Sequence, residues 1–237
     1  MPSAKIIGVI PARYASKRFP GKPLAILKGK PIIWWVFNQA RKALDDVIIA
    51  TDDERIKKEA ESFAPVVMTS PLHPSGSDRI AEAVKNFEVD LVINIQGDNP
   101  FIPPEMIKEV IKELQDPAVL MATLKKEISK EEADSPNIVK VVCDKDDFAL
   151  YFSRNPIPYS GRYYKHIGIY GYKKDFLLTF INLPKGRLER DEDLEQLRVL
   201  ENGYKIKVTT TQYDSPSIDT KEDLEEILKE LTEGLNG

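Results

Sequence analysis

The chain has 237 residues, 42% of them hydrophobic and 30% charged, with a formal net charge of −4 and one cysteine. This is enough to bury a full α/β core. It excludes an intrachain disulfide or a multi-cysteine zinc centre, and no apolar run is long enough for membrane insertion. No basic-apolar leader precedes the first strand, so the expected compartment is cytoplasmic, and Cys143 reads as a buried strand thiol rather than a nucleophile.

The apolar run at residues 6–10 predicts a buried first strand. It leads into residues 10–24, which carry Arg13, Lys17, Arg18 and Lys22 and no acid. Pro11, Pro20, Gly21 and Pro23 keep this stretch from forming a regular helix. A cationic loop leaving the carboxyl end of a first parallel strand is where an open α/β sheet takes its ligand. Residues 1–44 hold nine lysines and arginines and no acid, whereas the rest carries 25 cations against 38 anions. A nucleic-acid binder would be basic overall or along a stripe; positive charge confined to one end points instead to a small anion such as a phosphate chain.

Pro31 is placed to open a helix with Ile32, Trp35, Val36 and Gln39 at helical spacing. Residues 46–50 predict a second strand, and Asp52 or Asp53 a cap for a helix through residue 62, with a functional Asp52 as the alternative. A short strand at 65–68 and an irregular loop at 69–77 precede a helix at 78–87, capped by Ser77 or Asp78. A strand at 90–96, a helix at 104–115 and a strand at 119–124 complete an alternation that predicts a doubly wound, mostly parallel sheet. From about residue 125 the rhythm changes. Strand-like segments at 138–144, 148–154 and 166–172, with prolines after Arg154, predict a smaller antiparallel excursion. Helices at 175–181 and 188–201, a strand at 205–210 and a helix at 220–231 finish the chain.

No P-loop or dinucleotide fingerprint is present. Phosphate binding therefore falls to side chains: Arg13, Arg18 and Lys22 around a triphosphate, with backbone amides near Ala12 and Ser16. Asp98, in Gln96-Gly97-Asp98 just past a buried strand, suits a Mg²⁺ ion beside phosphates, or else steadies the turn. Asp219 is either a second metal carboxylate or, with Thr220, part of a capping box. Ser75, Gly76 and Ser77 suit a base edge, and Arg79 an acidic substrate, against the plainer reading of a helix start. In the segment 188–200 Leu194, Leu197 and Leu200 make a core stripe. Asp191 and Asp193 read as a solvated face, while Glu189, Glu195 and Gln196 are suited to accept hydrogen bonds from polyol hydroxyls.

Together these segments resemble the 3-deoxy-manno-octulosonate cytidylyltransferases. The resemblance rests on Pro11-Ala12-Arg13, Ser16, Arg18 and Pro20-Gly21-Lys22-Pro23-Leu24, on Gly76-Ser77-Asp78-Arg79, and on Gln96-Gly97-Asp98. It continues through Tyr151-Phe152-Ser153-Arg154, His166-Ile167-Gly168-Ile169-Tyr170-Gly171-Tyr172, Leu194-Glu195-Gln196-Leu197-Arg198 and Asp219-Thr220. Asn99 departs from it, since glutamate usually follows Gly-Asp in that family, as does Arg187, where proline is frequent.

The resemblance implies a fold of the nucleotide-diphospho-sugar transferase type. One nucleotidyltransferase domain is expected over residues 1–237, with 1–124 mainly binding CTP and 125–237 mainly binding the sugar and dimerising. It implies CTP and the eight-carbon acid Kdo as substrates, Mg²⁺ as cofactor and CMP-Kdo with pyrophosphate as products, the activated sugar serving lipopolysaccharide biosynthesis. A homodimer is expected, with the prolines around Arg154 as an arm. The implied catalytic set is Lys22, Arg13, Asp98 and Asp219, the two aspartates holding the metal. Pro11, Ala12, Arg13, Ser16, Arg18, Lys22, His73, Ser75, Gly76, Ser77 and Gln96 fall on the nucleotide side. Arg79, Gln96, Arg154, His166, Tyr170, Glu189, Glu195 and Gln196 fall on the sugar side, with a purely structural His166 as the alternative. The competing readings are a CMP-sialic acid synthetase and a catalytically silent nucleotide-binding protein.

Overall fold

The computed structural model describes residues 4–16 and 18–233; Lys17, one of the four loop cations, lies outside them. The elements in chain order are β1 (Ile6–Ala12), a 3₁₀ turn (Lys22–Leu24), β2 (Ile26–Leu27), β3 (Lys30–Pro31), α1 (Ile32–Arg41), β4 (Val47–Thr51), α2 (Glu54–Ala60), β5 (Val66–Met68), α3 (Gly76–Val84) and β6 (Leu91–Asn94). There follow α4 (Pro104–Glu113), β7 (Met121–Ile128), α5 (Lys130–Ala133), β8 (Lys140–Cys143), β9 (Ala149–Ser153), β10 (Tyr163–Lys173), α6 (Lys174–Phe180), α7 (Arg187–Glu192), α8 (Leu197–Glu201), β11 (Lys207–Thr210) and α9 (Lys221–Glu233).

The chain folds as two compact units built from interleaved segments. One comprises residues 6–87, 94–104 and 214 onward; the other comprises residues 88–93 and 105–213 with the first few residues. The last helix belongs with the first strand, and residues 105–124 belong with the unit that runs on to residue 213.

In the first unit β1, β4 and β5 are neighbours in that order, all parallel. Val9, Ile10, Ile49 and Ala50 are completely buried, as expected of strands covered on both faces. Helix α1 buries Ile32, Ile33, Val36 and Phe37; its Pro31 is the N-cap rather than the first helical residue. Asp53, not Asp52, caps α2, accepting from the Arg55 amide at 2.9 Å. Helix α3 starts two residues earlier than its sequence suggests, because Ser75 rather than Ser77 or Asp78 is the cap and accepts from the Asp78 amide.

In the second unit β6, β10, β7 and β11 are neighbours in that order, with β8 beside β10 and β9. β11 runs parallel to β7, while β10 runs antiparallel to both β7 and β8. The parallel α/β pattern with a smaller antiparallel part is the expected fold class. Two details differ. Residues 188–201 do not form one helix: Asp193 takes a left-handed conformation, φ 53°, and splits the segment into α7 and α8. A short helix, α5, appears where no element was expected, held by a Ser129–Glu132 capping box.

Candidate active site

The cationic loop follows β1 directly. Gly21 sits at φ 76°, the left-handed conformation that glycine adopts without steric cost, and the turn it opens presents Lys22 on a 3₁₀ helix. Lys22 is nearly enclosed, with 12% of its side chain exposed. Its ammonium donates to Asp98 Oδ2 at 2.7 Å and to Asp219 Oδ1 at 3.3 Å. Arg18 reaches the same Asp219 oxygen at 2.9 Å. Arg13 is exposed and has no ion-pair partner among the described residues.

Backbone packing explains why residues so far apart in sequence meet. The Ile95 amide donates to Val9 O at 3.0 Å, which lays the segment after β6 along β1. At Gly97 a Cβ would come within 2.8 Å of Pro11 O, so only glycine lets this turn lie against the loop. The buried Ile218 then donates its amide to Asp98 O at 2.9 Å. That bond lays the residues just before Asp219 against Asp98. Because both carboxylates touch one ammonium, their oxygens are no farther apart than those two contacts laid end to end.

Asp219 is not the cap of α9. Thr220 is: its hydroxyl accepts from the Asp223 amide at 3.2 Å, and Asp223 accepts from the Thr220 and Asp219 amides at 2.8 and 2.7 Å. Those amide bonds hold the Asp223 carboxyl below its usual range against the opposing effect of burial. Capping is thus done by the neighbouring side chains, and the Asp219 carboxylate is left for Lys22 and Arg18.

The other nucleotide-side candidates lie in the same unit. Pro11 and Ala12 end β1, and Ser16 donates its amide to Tyr14 O at 2.9 Å. Ser75, Gly76 and Ser77 form the first turn of α3, with Ser75 Oγ donating to Asp78 at 2.6 Å. His73 lies against Glu82 on α3 through its Nε2, a contact that lowers the Glu82 pKa. Gln96 donates to Asn94 Oδ1 at 3.1 Å. Asn99 is buried, and its Oδ1 has no hydrogen-bond partner among the described residues.

Arg79 is 4% exposed; it pairs with Asp52 at 2.9 Å and donates to Thr69 Oγ1 at 2.5 Å. A guanidinium enclosed in this way braces the loop before α3, and Asp52 is its counter-charge rather than a cap.

The remaining sugar-side candidates lie in the second unit. Arg154 is anchored by Nε to Glu192 O at 2.9 Å and by its amide to Glu192 Oε2 at 2.8 Å. Lys140, fully buried, donates to three carbonyls, those of Ser135, Ile138 and Arg154. Glu189 is closed into a buried pair, accepting from Arg198 at 2.8 and 2.5 Å. Glu195 keeps 30% of its side chain exposed, and Gln196 is buried.

His166 and Tyr170 stand on the same face of β10, their rings 5.3 Å apart. Both keep some solvent exposure, yet protein crowds them. Desolvation pushes the His166 pKa down to about 3 and the Tyr170 pKa well up. Thr123, a residue without a sequence signal, meets His166 Nε2 at 3.0 Å. Arg198, seen in the sequence only as part of a motif, proves to be the partner of Glu189.

Three comparisons with known proteins bear on this arrangement. The family model described as cytidylyltransferase matches residues 7–206. The 3-deoxy-manno-octulosonate cytidylyltransferase of Thermodesulfovibrio yellowstonii is 53% identical, over 92% of this chain and 95% of that protein. That of Fusobacterium nucleatum subsp. nucleatum is 50% identical, over 97% and 98%. A solved structure of CMP:2-keto-3-deoxy-manno-octonic acid synthetase complexed with CTP superposes with a TM-score of 0.93 at 40% identity, covering 98% of this chain and all of the other. A cytidylyltransferase from Leptospira borgpetersenii, 16% identical, shares the fold with a TM-score of 0.64, covering 95% of this chain and 86% of that one.

Proposed function

The chain belongs to the 3-deoxy-manno-octulosonate cytidylyltransferases, and from that premise we infer that it transfers CMP from CTP to Kdo. The products are CMP-Kdo, which supplies activated sugar for lipopolysaccharide biosynthesis, and pyrophosphate. The observation that carries the chemistry is the single ammonium of Lys22 set between Asp98 and Asp219, with Arg18 on the second carboxylate. Two cations and two acids beside a phosphate loop suit a transfer in which charge, not covalent chemistry, is the difficulty.

The anomeric hydroxyl of Kdo attacks the α-phosphorus in line and gives up its proton to water. The bond from that phosphorus to the β-phosphate oxygen breaks, and pyrophosphate leaves with the electron pair. Lys22, Arg13 and Arg18 neutralise the crowded charge on the α-phosphate and on the leaving group. Ser75, Gly76 and Ser77 take the base edge.

Asp98 and Asp219 suit Mg²⁺ as the cofactor. Both are hard oxygen donors that already share one cation, and no cluster of three or more His, Cys, Asp or Glu able to hold a metal occurs among the described residues. Mg²⁺ commonly takes one or two carboxylates and fills its remaining positions with phosphate oxygens and water. Bound there, the ion would supply charge to the α-phosphate and lower the pKa of the attacking hydroxyl.

On the sugar side we assign Arg154, His166, Tyr170, Glu195, Gln196 and Gln96 to the polyol acid. Arg79 and Glu189 keep their neighbours in place through buried ion pairs. The proline-rich segment after Arg154 carries Tyr159, which is fully exposed, and we assign it to a homodimer contact. No helix among the described residues is long and apolar enough to cross a membrane, and a CTP-using enzyme of this kind belongs in the cytoplasm.

A pyrophosphate-release assay with CTP, Kdo and Mg²⁺ tests the reading. Release is expected with Kdo and to depend on the metal. Faster release with sialic acid, or CTP binding with no release, would overturn it.

A further inference from the structure

We propose that Thr123 is a positioning residue for the sugar side: its hydroxyl holds His166 as the Nε2–H tautomer, leaving Nδ1 as a neutral acceptor for a hydroxyl of the polyol acid. The proposal rests on the reading of His166 as a sugar-side residue.

β10 pairs with β7 in step from Tyr163 to Ile167, opposite Ile128 to Leu124, and resumes with Tyr170 opposite Thr123. Gly168 and Ile169 have no partners in this register, so the strand is bulged between His166 and Tyr170. Bulges re-aim side chains and remove backbone groups from the ladder. Here the carbonyls of Ile167 and Ile169 turn to the fully buried Thr123 hydroxyl, at 3.0 and 2.7 Å.

A threonine hydroxyl has one proton to donate and two lone pairs. Carbonyl oxygens only accept, so that proton goes to Ile169 O or Ile167 O. Were it directed at His166 instead, both carbonyl oxygens would face a lone pair of the hydroxyl at hydrogen-bond distance. The contact of Thr123 Oγ1 with His166 Nε2 at 3.0 Å is therefore one in which the ring nitrogen donates.

That assigns the proton to Nε2. Nδ1 then has a lone pair, and no described residue bonds to it. The ring packs T-shaped with Phe152, at 5.1 Å between centroids, and lies 5.3 Å from Tyr170; flipping it would put a carbon in place of Nε2 at the Thr123 hydroxyl.

The charged and titratable surroundings agree. The cross-strand partner of His166 is Lys125, whose ammonium is paired with Asp147 at 2.7 Å. Tyr170 stays a neutral phenol, its pKa raised by burial and by Tyr172 and Glu195. Burial, not a neighbouring charge, keeps the second proton off His166. A neutral acceptor favours a hydroxyl donor and disfavours the sugar carboxylate, which must be met by a cation elsewhere. His166 thus contributes orientation rather than charge.

The chain has two histidines, His73 and His166, so ¹⁵N–¹H long-range correlation spectra of the free protein read the tautomer directly, with His73→Gln assigning the signals. His166 is expected as Nε2–H, unchanged from pH 8 to pH 5. Thr123→Val removes the hydroxyl at constant shape; the tautomers should mix, and the KM for Kdo should rise about ten-fold, with kcat and the KM for CTP within about two-fold. Thr123→Ser should restore both the spectrum and the KM. An Nδ1–H tautomer, a titration of His166 between pH 5 and 8, or an unchanged Kdo KM in Thr123→Val would overturn the proposal. Lack of Kdo turnover by the wild-type chain would overturn the functional reading as well, whereas an Nδ1–H tautomer with normal turnover would sink this inference alone.

Discussion

Lys22 and Arg198 each hold carboxylates, but in different surroundings. Lys22, with Asp98 26% and Asp219 35% exposed, belongs to a cluster that solvent and ligands can reach. Arg198 is 3% exposed and binds Glu189 through two nitrogens, with Glu195 at 3.8 Å. The aspartates of the first set keep contact with water, so exchanging their partners for phosphate or metal costs less than in a closed pair. The second is desolvated and can lose a partner only by leaving a charge stranded. Carboxylates singled out in the sequence as functional thus enter two kinds of ion pair in the fold: one placed for exchange, one placed for shape.

That contrast can be broken by mutation. Asp98→Ala should have the largest effect on turnover, a fall of at least about 100-fold in kcat. The urea midpoint should stay near wild type, since Lys22 retains Asp219. A parallel loss of stability would show that the cluster holds the fold instead. Arg198→Ala should do the reverse. Removing one member of a buried pair costs about 3–5 kcal/mol, measured by urea unfolding, with kcat per folded molecule falling far less. Replacing the pair together, as Arg198→Met with Glu189→Leu, should recover most of that stability; no recovery would mean that other contacts of Arg198 matter more than the charge.

A smaller effect separates two adjacent residues. Thr220→Ala should cost about 1 kcal/mol through loss of the α9 cap and leave kcat unchanged. Asp219→Asn should leave stability unchanged and lower kcat. If the two variants exchange behaviours, Asp219 is the cap and not a site residue.

The smallest effect concerns pH. The folded pKa of His166, about 3, lies below its unfolded value, near 6.5. Between the two the unfolded chain binds the extra proton, so stability is lost as pH falls from about 6.5 toward 3. His166→Gln should unfold with a shallower acid dependence than wild type. Identical slopes would place His166 outside the desolvated interior.

The sequence determined the frame because its signals are local. Unbroken apolar runs make buried strands, as at residues 6–10. The cations and ring residues of the opening loop required a charged, irregular segment. Gly97 and Asp98 marked a turn at a strand end. Its ambiguities were those in which one local pattern serves two ends. Asp219-Thr220 suits both a cap and a ligand, and only the hydroxyl of Thr220 on the Asp223 amide separated them. The leucine spacing of residues 188–201 fits one helix. What breaks it is the left-handed Asp193, where α7 ends beside the Arg154 backbone held by Glu192.

Partners distant in sequence were decided by tertiary structure alone. Asp52 meets Arg79, Glu189 meets Arg198 and Thr123 meets His166 only after strands and helices pack. Nothing in the spacing of a buried threonine on β7 announces two carbonyls freed by a bulge on β10. Charge and periodicity are properties of the chain, but which lone pair faces which proton is a property of the fold.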